Sequence, residues 1–179
     1  NKLQVKPFIK NLLQPGVPPD ADLVMTTGFE MPNNVCNECG SEMTAWFTPK
    51  HTGYHTFHIE ADDNAALWIE DAFELMLWDT LDTEDRMDNH HARAVATVPG
   101  WTSSRQWSKY SEQESRPIAL TAGKQYALKA IATETGGGDN LAVGVTLPSG
   151  DSLAPIPVEF EGHTWLHTVI SGSGRTTES

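Results

Sequence analysis

Two stretches of the chain gather oxygen donors of the kind that hold a hard cation. The first is Asp62-Asp63, inside HIEADDNAALWIED at residues 58–71. Adjacent carboxylates repel unless a positive charge sits with them. They are either a solvated turn or two ligands of one ion. Calcium takes about six to eight oxygens at about 2.4 Å, drawn from carboxylates, carbonyls and water. On an extended strand neighbouring side chains point to opposite faces. Convergence on one ion therefore demands a sharp bend, which a cis peptide at Asp62-Asp63 would supply. The second stretch is GGGDN, residues 136–140. Its glycines reach dihedrals that other residues avoid and leave backbone carbonyls bare. Asp139 and Asn140 add side-chain oxygens. Read alone, this stretch is also an ordinary hairpin tip, where Gly, Asp and Asn dominate.

Other chemistry finds less support. His163 and His167 have the i,i+4 spacing that zinc uses on a helix, but no Glu completes an H-E-x-x-H pattern. The chain has two cysteines, Cys36 and Cys39, too few for a four-thiolate zinc site. Pro32, two Asn and Gly40 surround them, which favours a small loop disulfide over free thiols or a redox pair. No nucleophile elbow occurs. DTLDTEDRMDNH lacks the Gly and Glu of an EF-hand loop. Nothing singles out a glycosidase pair among Asp79, Asp82, Glu84, Asp85 and Asp88. The glycine loop is not followed by Lys-Ser/Thr, so it is no phosphate cradle. We read a binding domain and not an enzyme.

The bulk numbers narrow the partners. The formal net charge is −12, from 24 acidic and 12 basic residues. That argues against nucleic acid, whose phosphates need Lys and Arg, and against anionic membrane surfaces. No apolar run approaches the ~20 residues of a membrane helix. No secretory leader is visible, as expected of a mature or excised chain.

Positioning such sites falls to strands. The 179 residues suit one large domain, and the 14 Gly and 11 Pro predict many turns. In YHTFHIE, His55, Phe57 and Ile59 share one face, with Tyr54, Thr56 and His58 on the other. Ala65, Leu67 and Ile69 alternate with Ala66 and Trp68. Tyr126, Leu128, Ala130 and Ala132 share a face, as do Leu141, Val143, Val145 and Leu147. Further strands are expected at 42–48 and 93–98, with short apolar runs at 73–78 and 117–120. Residues 79–92 read as an acidic loop and 101–116 as an irregular segment with Trp anchors. At least seven short strands without a convincing helix mean an all-β domain, a sandwich or barrel. Residues 1–19 read as a leading strand and linker, 20–160 as the domain, and 161–179, ending SGSGRTTES, as a flexible tail or linker. One or two of the six Trp beside a cation would offer a sugar ring an apolar face.

The order of these pieces resembles the PA14 family. FEMP…MTAWFTPKHTGYHTFHIEADDNAALWIED is similar to its first half, and GWTSSRQWSKYSEQESRPIALTAGKQYALKAIATETGGGDNLAVGVTLPSG to its second. The fibrocystin-like and bacterial surface-protein branch is the nearest in flavour. The resemblance implies an antiparallel β-sandwich with long irregular loops. In sugar-binding members two consecutive Asp joined by a cis peptide hold calcium with a second loop, and vicinal hydroxyls of a glycan complete the shell. Carried over, Asp62 and Asp63 match the first element. Gly137, Gly138, Asp139 and Asn140 match the second, with the Leu141 carbonyl as a further ligand. The implied function is calcium-dependent glycan binding by an extracellular adhesin or surface protein, alongside neighbouring domains. The rival readings are a structural module that calcium only stiffens, and an accessory domain of a glycoside hydrolase. Three features depart from the pattern: Glu60-Ala61 before the Asp pair, the insertion FELMLWDTLDTEDRMDNHHA, and the Cys36/Cys39 loop.

Overall fold

The computed structural model describes residues 21–24, 27–34, 38–71 and 94–175. Its strands are β1 (Ala21–Val24), β2 (Cys39–Phe47), β3 (Gly53–Asp62), β4 (Asn64–Asp71), β5 (Ala96–Val98), β6 (Ile118–Leu120), β7 (Tyr126–Glu134), β8 (Asn140–Thr146), β9 (Ser152–Leu153), β10 (Glu159–Phe160), β11 (His163–Thr164) and β12 (Leu166–Arg175). Among the described residues the sole helical piece is a 3-10 turn at Ser111–Gln113. It falls inside the segment read as irregular. The expectations for 1–19, 73–78, 79–92 and Cys36 lie outside the described residues.

Two antiparallel sheets form the body of the domain, a β-sandwich. One has six strands in the order β1-β12-β2-β7-β4-β5, the other four in the order β6-β3-β8-β9. A small β10–β11 ladder stands apart. The alternations seen in the sequence face inward as expected. His55, Phe57, Ile59 and Ala61 from β3 and Leu141, Val143 and Val145 from β8 are buried in one core. They meet Met43, Ala45 and Phe47 of β2, Ala65 and Leu67 of β4, and Leu128, Ala130 and Ala132 of β7. Burying each large side chain here contributes roughly 1.5–3 kcal/mol. Phe47 sits edge-on to Phe57 at 5.5 Å between ring centroids and stacks on Trp165 at 5.9 Å. The alternate face of β4 is covered too: Ala66, Trp68 and Ile131 make a second, smaller cluster.

Both edges of the four-stranded sheet are stitched by irregular backbone. On the β8 side, Val143 donates to the Phe29 carbonyl at 3.0 Å and Met31 to the Leu141 carbonyl at 2.9 Å. Gly28 allows this approach, since a Cβ there would lie 2.8 Å from the Ile156 carbonyl oxygen. On the β3 side, Thr102 donates from its backbone to Ala61 at 2.7 Å and Ser115 to Phe57 at 2.9 Å. The Gln113 side chain donates to the Ile59 carbonyl at 2.9 Å. These bonds satisfy carbonyls that would otherwise be open to another chain.

Within 161–179, read as a tail or linker, His163–Thr164 and Leu166–Arg175 are strands. Trp165 and Leu166 are buried core residues. β12 lies between β1 and β2, pairing Gly172 with Glu42 and Gly174 with Gly40. A Gly/Ser run carries no apolar alternation, yet a ladder needs only backbone N–H and C=O, and β2 and β1 supply the partners. His163 and His167 therefore sit on strands and not on a zinc-binding helix face, and His163 Nε2 lies 2.9 Å from the Thr48 carbonyl.

Candidate metal centre

β3 ends at Asp62 and β4 begins at Asn64, so the Asp pair lies at the crossing from one sheet to the other. The Asp62-Asp63 peptide bond is cis. Asp63 donates its N–H to the Thr133 carbonyl of β7 at 2.8 Å. Its carboxylate accepts from the backbone and the hydroxyl of Thr135, the former at 3.1 Å. Asp62 pairs across the ladder with Asn140, the first residue of β8. The chain thus delivers the Asp pair and the glycine loop to one end of the sandwich.

A third carboxylate joins them. One side-chain oxygen each from Asp62, Asp63 and Glu134 lies within 4.8 Å of the others. That spacing lets the three share one cation of calcium size. Glu134 is the last residue of β7, and the residue assignment made from sequence leaves it out. Its signal is parity: it continues the core-facing series Tyr126, Leu128, Ala130, Ala132. A carboxylate on the apolar face of a strand needs a partner.

The electrostatics show what that crowding costs. Burial raises the pKa of Asp62 first, and repulsion from Asp63 and Asp139 adds to it, while Lys109 opposes. Glu134 is raised by burial as well, against the Gly136 N–H that its carboxylate accepts, with Asp63, Asp62 and Asp139 adding repulsion. Four carboxylates therefore feel one another at this end. Two buried oxygens there, Glu134 Oε2 and Asn140 Oδ1, have no hydrogen-bond partner. Asn140 Nδ2 meanwhile donates to the Thr102 carbonyl at 2.9 Å, which fixes the amide plane. Asp62, Glu134, Asp139 and Asn140 line a common recess with Ser41, Thr133 and Met31. Unpaired buried acceptors around a recess suit an ion, because each otherwise forfeits its water.

Gly137 and Gly138 are exposed in the loop before β8. Gly136 and Gly137 take φ of 147° and 123°, which side chains rarely adopt. The Asp139 carbonyl accepts from Asn34 N–H at 3.1 Å. The Leu141 carbonyl already accepts from Met31, so only its second lone pair is open to an ion. Cys39 is disulfide-bonded and pairs in register with Glu134 of the acidic cluster.

The wall beside the cluster is the 101–110 segment. Thr102 grips Ala61 with its backbone and its hydroxyl, at 2.7–3.1 Å. Arg105 forks onto Glu30 at 2.5 and 3.0 Å and reaches Glu60 at 3.4 Å, spanning the outer face of the sheet from β3 to the 28–34 segment. Glu60 is buried with one oxygen unpartnered, and burial, opposed by Arg105, lifts its pKa to about 7. Trp101 is 52% exposed, whereas Trp68 and Trp165 are buried.

Comparison with known proteins agrees with the fold. The family model described as the PA14 domain matches residues 19–157. No curated protein matches the chain. Among solved structures, the Epithelial Adhesin 9 A domain from Candida glabrata, in complex with Galb1-4GlcNAc, is similar with a TM-score of 0.51 and 17% identity. The match covers 80% of this chain and 68% of that one. The Epithelial Adhesin 6 A domain from the same organism, in complex with Galb1-3GlcNAc, gives 0.43 and 16%, over 83% of this chain and 66% of the other. An anti-sigma factor domain-containing protein from Clostridium clariflavum gives 0.45 and 16%, over 72% and 33%. The chain thus spans a third of the last structure and about two-thirds of each adhesin domain. With a sandwich of this topology and a family match over most of its length, this chain belongs to the PA14 domain family.

Proposed function

We propose that the domain binds calcium at Asp62, Asp63 and Glu134, and through the ion a glycan with vicinal hydroxyls. The observation that carries this is the cluster itself: three carboxylates within 4.8 Å, beside the unpartnered oxygens of Glu134 and Asn140. Asp139 and the carbonyls of Gly137 and Gly138 stand as further ligands from the glycine loop, with Leu141 contributing at most one lone pair. A bound ion cancels the mutual repulsion of these acids. It keeps open positions, because the glycine loop is exposed. Two sugar hydroxyls replace two waters there, and no bond is made or broken.

Membership of a family that includes glycan-binding adhesin domains supports the sugar half of the reading. So does the complex of the Epithelial Adhesin 9 A domain with the disaccharide Galb1-4GlcNAc. The site works outside the cell, where calcium is abundant, as one module of a surface protein. Single-site sugar affinity falls on the order of mM to µM.

The test is calorimetric. Calcium is titrated into chelator-stripped protein, and neutral sugars are then titrated with and without the ion. Calcium heat followed by calcium-dependent sugar heat is expected, and Asp63→Asn weakens calcium at least ~10-fold. Calcium heat with no response to any sugar would make this a structural module instead. Unchanged calcium binding in Asp63→Asn would refute the site.

A further inference from the structure

Lys109 lies on the 101–110 segment that walls the metal centre. Its Nζ donates to the Trp101 carbonyl at 2.7 Å and lies 3.2 Å from the centroid of the Trp101 ring. The Tyr110 ring is 5.3 Å away. Among the described residues the ion pairs engage Arg105, Lys124, Lys129 and His58, and none engages Lys109. The ammonium is held beside the cluster and not drawn into it. Trp101 precedes Thr102, which grips Ala61 next to Asp62 and takes the Asn140 amide.

A cation caged by a ring and a carbonyl keeps donors free for a ligand. Three N–H donors point from an ammonium, and the carbonyl takes one. The ring restrains the stem without neutralising the charge. An anionic acceptor makes a shorter and roughly twice stronger bond to such a donor than a neutral hydroxyl does.

We infer that Lys109 makes this domain selective for acidic sugars, those carrying a carboxylate next to the hydroxyls that the ion takes. Lys109 then pairs the carboxylate while the ion holds the diol. This rests on the calcium-dependent glycan reading.

The experiment compares D-galacturonate with D-galactose, and D-glucuronate with D-glucose, on the calcium-loaded chain. Each pair differs only in a carboxylate against a hydroxymethyl group. The expected result is tighter binding of each uronate by about 5-fold, lost in added salt as an exposed ion pair requires. In Lys109→Met the preference falls to about one. The same variant binds calcium more tightly, because a repelling charge has left the rim. Loop damage would weaken calcium instead, so this sign separates the two causes. Equal binding of acid and neutral sugar by the unaltered chain overturns the inference and leaves the glycan reading intact. So does a uronate preference that survives Lys109→Met. No calcium-dependent binding of any of the four sugars overturns both.

Discussion

At the residue scale the informative groups are carboxylates placed where water is scarce. Glu134 closes the acidic cluster from β7, with one oxygen on the Gly136 N–H and the other unpaired. Glu134→Gln keeps the shape and removes the charge. It should weaken calcium about 10-fold by calorimetry while the metal-free protein melts no lower, since repulsion with Asp62 and Asp63 is relieved. Glu60 is a separate case. Its pKa stands at about 7 in the folded protein against 4.5 in the unfolded chain. A raised carboxyl pKa means that the folded state holds its proton more tightly. Its contribution favours folding below pH 4.5 and is lost as pH rises towards 7. Glu60→Gln should flatten that slope in urea melts between pH 4.5 and 7. An identical slope in the variant would show that other groups set it.

At the element scale β12 and the 101–116 segment do what their sequences conceal. β12 fills the place between β1 and β2, and the chain just before it buries Trp165. A chain ending at residue 161 loses the burial of Trp165 and Leu166, on the order of 4 kcal/mol, and exposes the β2 edge. The expected outcome is loss of the cooperative melt in circular dichroism. A truncated chain that melts as the full one does would put 162–179 outside the folded unit. Thr102 tests the other edge. Thr102→Val removes the hydroxyl that both accepts from Ala61 N–H and donates to Ala61 C=O. A cost of about 1–3 kcal/mol is expected, read from denaturant midpoints. Calcium affinity should fall with it, because Ala61 adjoins Asp62.

At the scale of the whole molecule, an ion at the proposed centre would clamp the two sheets of the sandwich together. Asp62 closes β3 in one sheet and Glu134 closes β7 in the other, so one ligand set draws on both. Binding to the folded state alone adds about 2.7 kcal/mol at a hundredfold excess over the dissociation constant. For a chain of this size that raises Tm by roughly 5–10 °C. Asp62 and Glu134 hold protons more tightly than free carboxyls do, and the ion must displace them. The calcium-induced rise should therefore be larger at pH 7 than at pH 5 by scanning calorimetry. An equal rise at both values would place the ion elsewhere. A site of modest sugar affinity becomes adhesive when many copies act together.

Sequence alone determined the alternating strands β3, β4, β7 and β8 and their inward faces, and it singled out the Asp pair as a candidate site. These rest on local chemistry: alternation along β3, β7 and β8 fixes which side chains are apolar, and turn residues fix where each strand stops. Family resemblance added the link between Asp62-Asp63 and the 137–140 loop, which lies far along the chain. Only the tertiary structure brought Glu134 into the cluster, because its role depends on which strand end lies beside Asp63. Only the structure set β12 in the sheet, since backbone pairing leaves no mark on a Gly/Ser run. It alone showed Lys109 resting on Trp101. Pairing across sheets joins residues distant in the chain, and no local pattern records the partner.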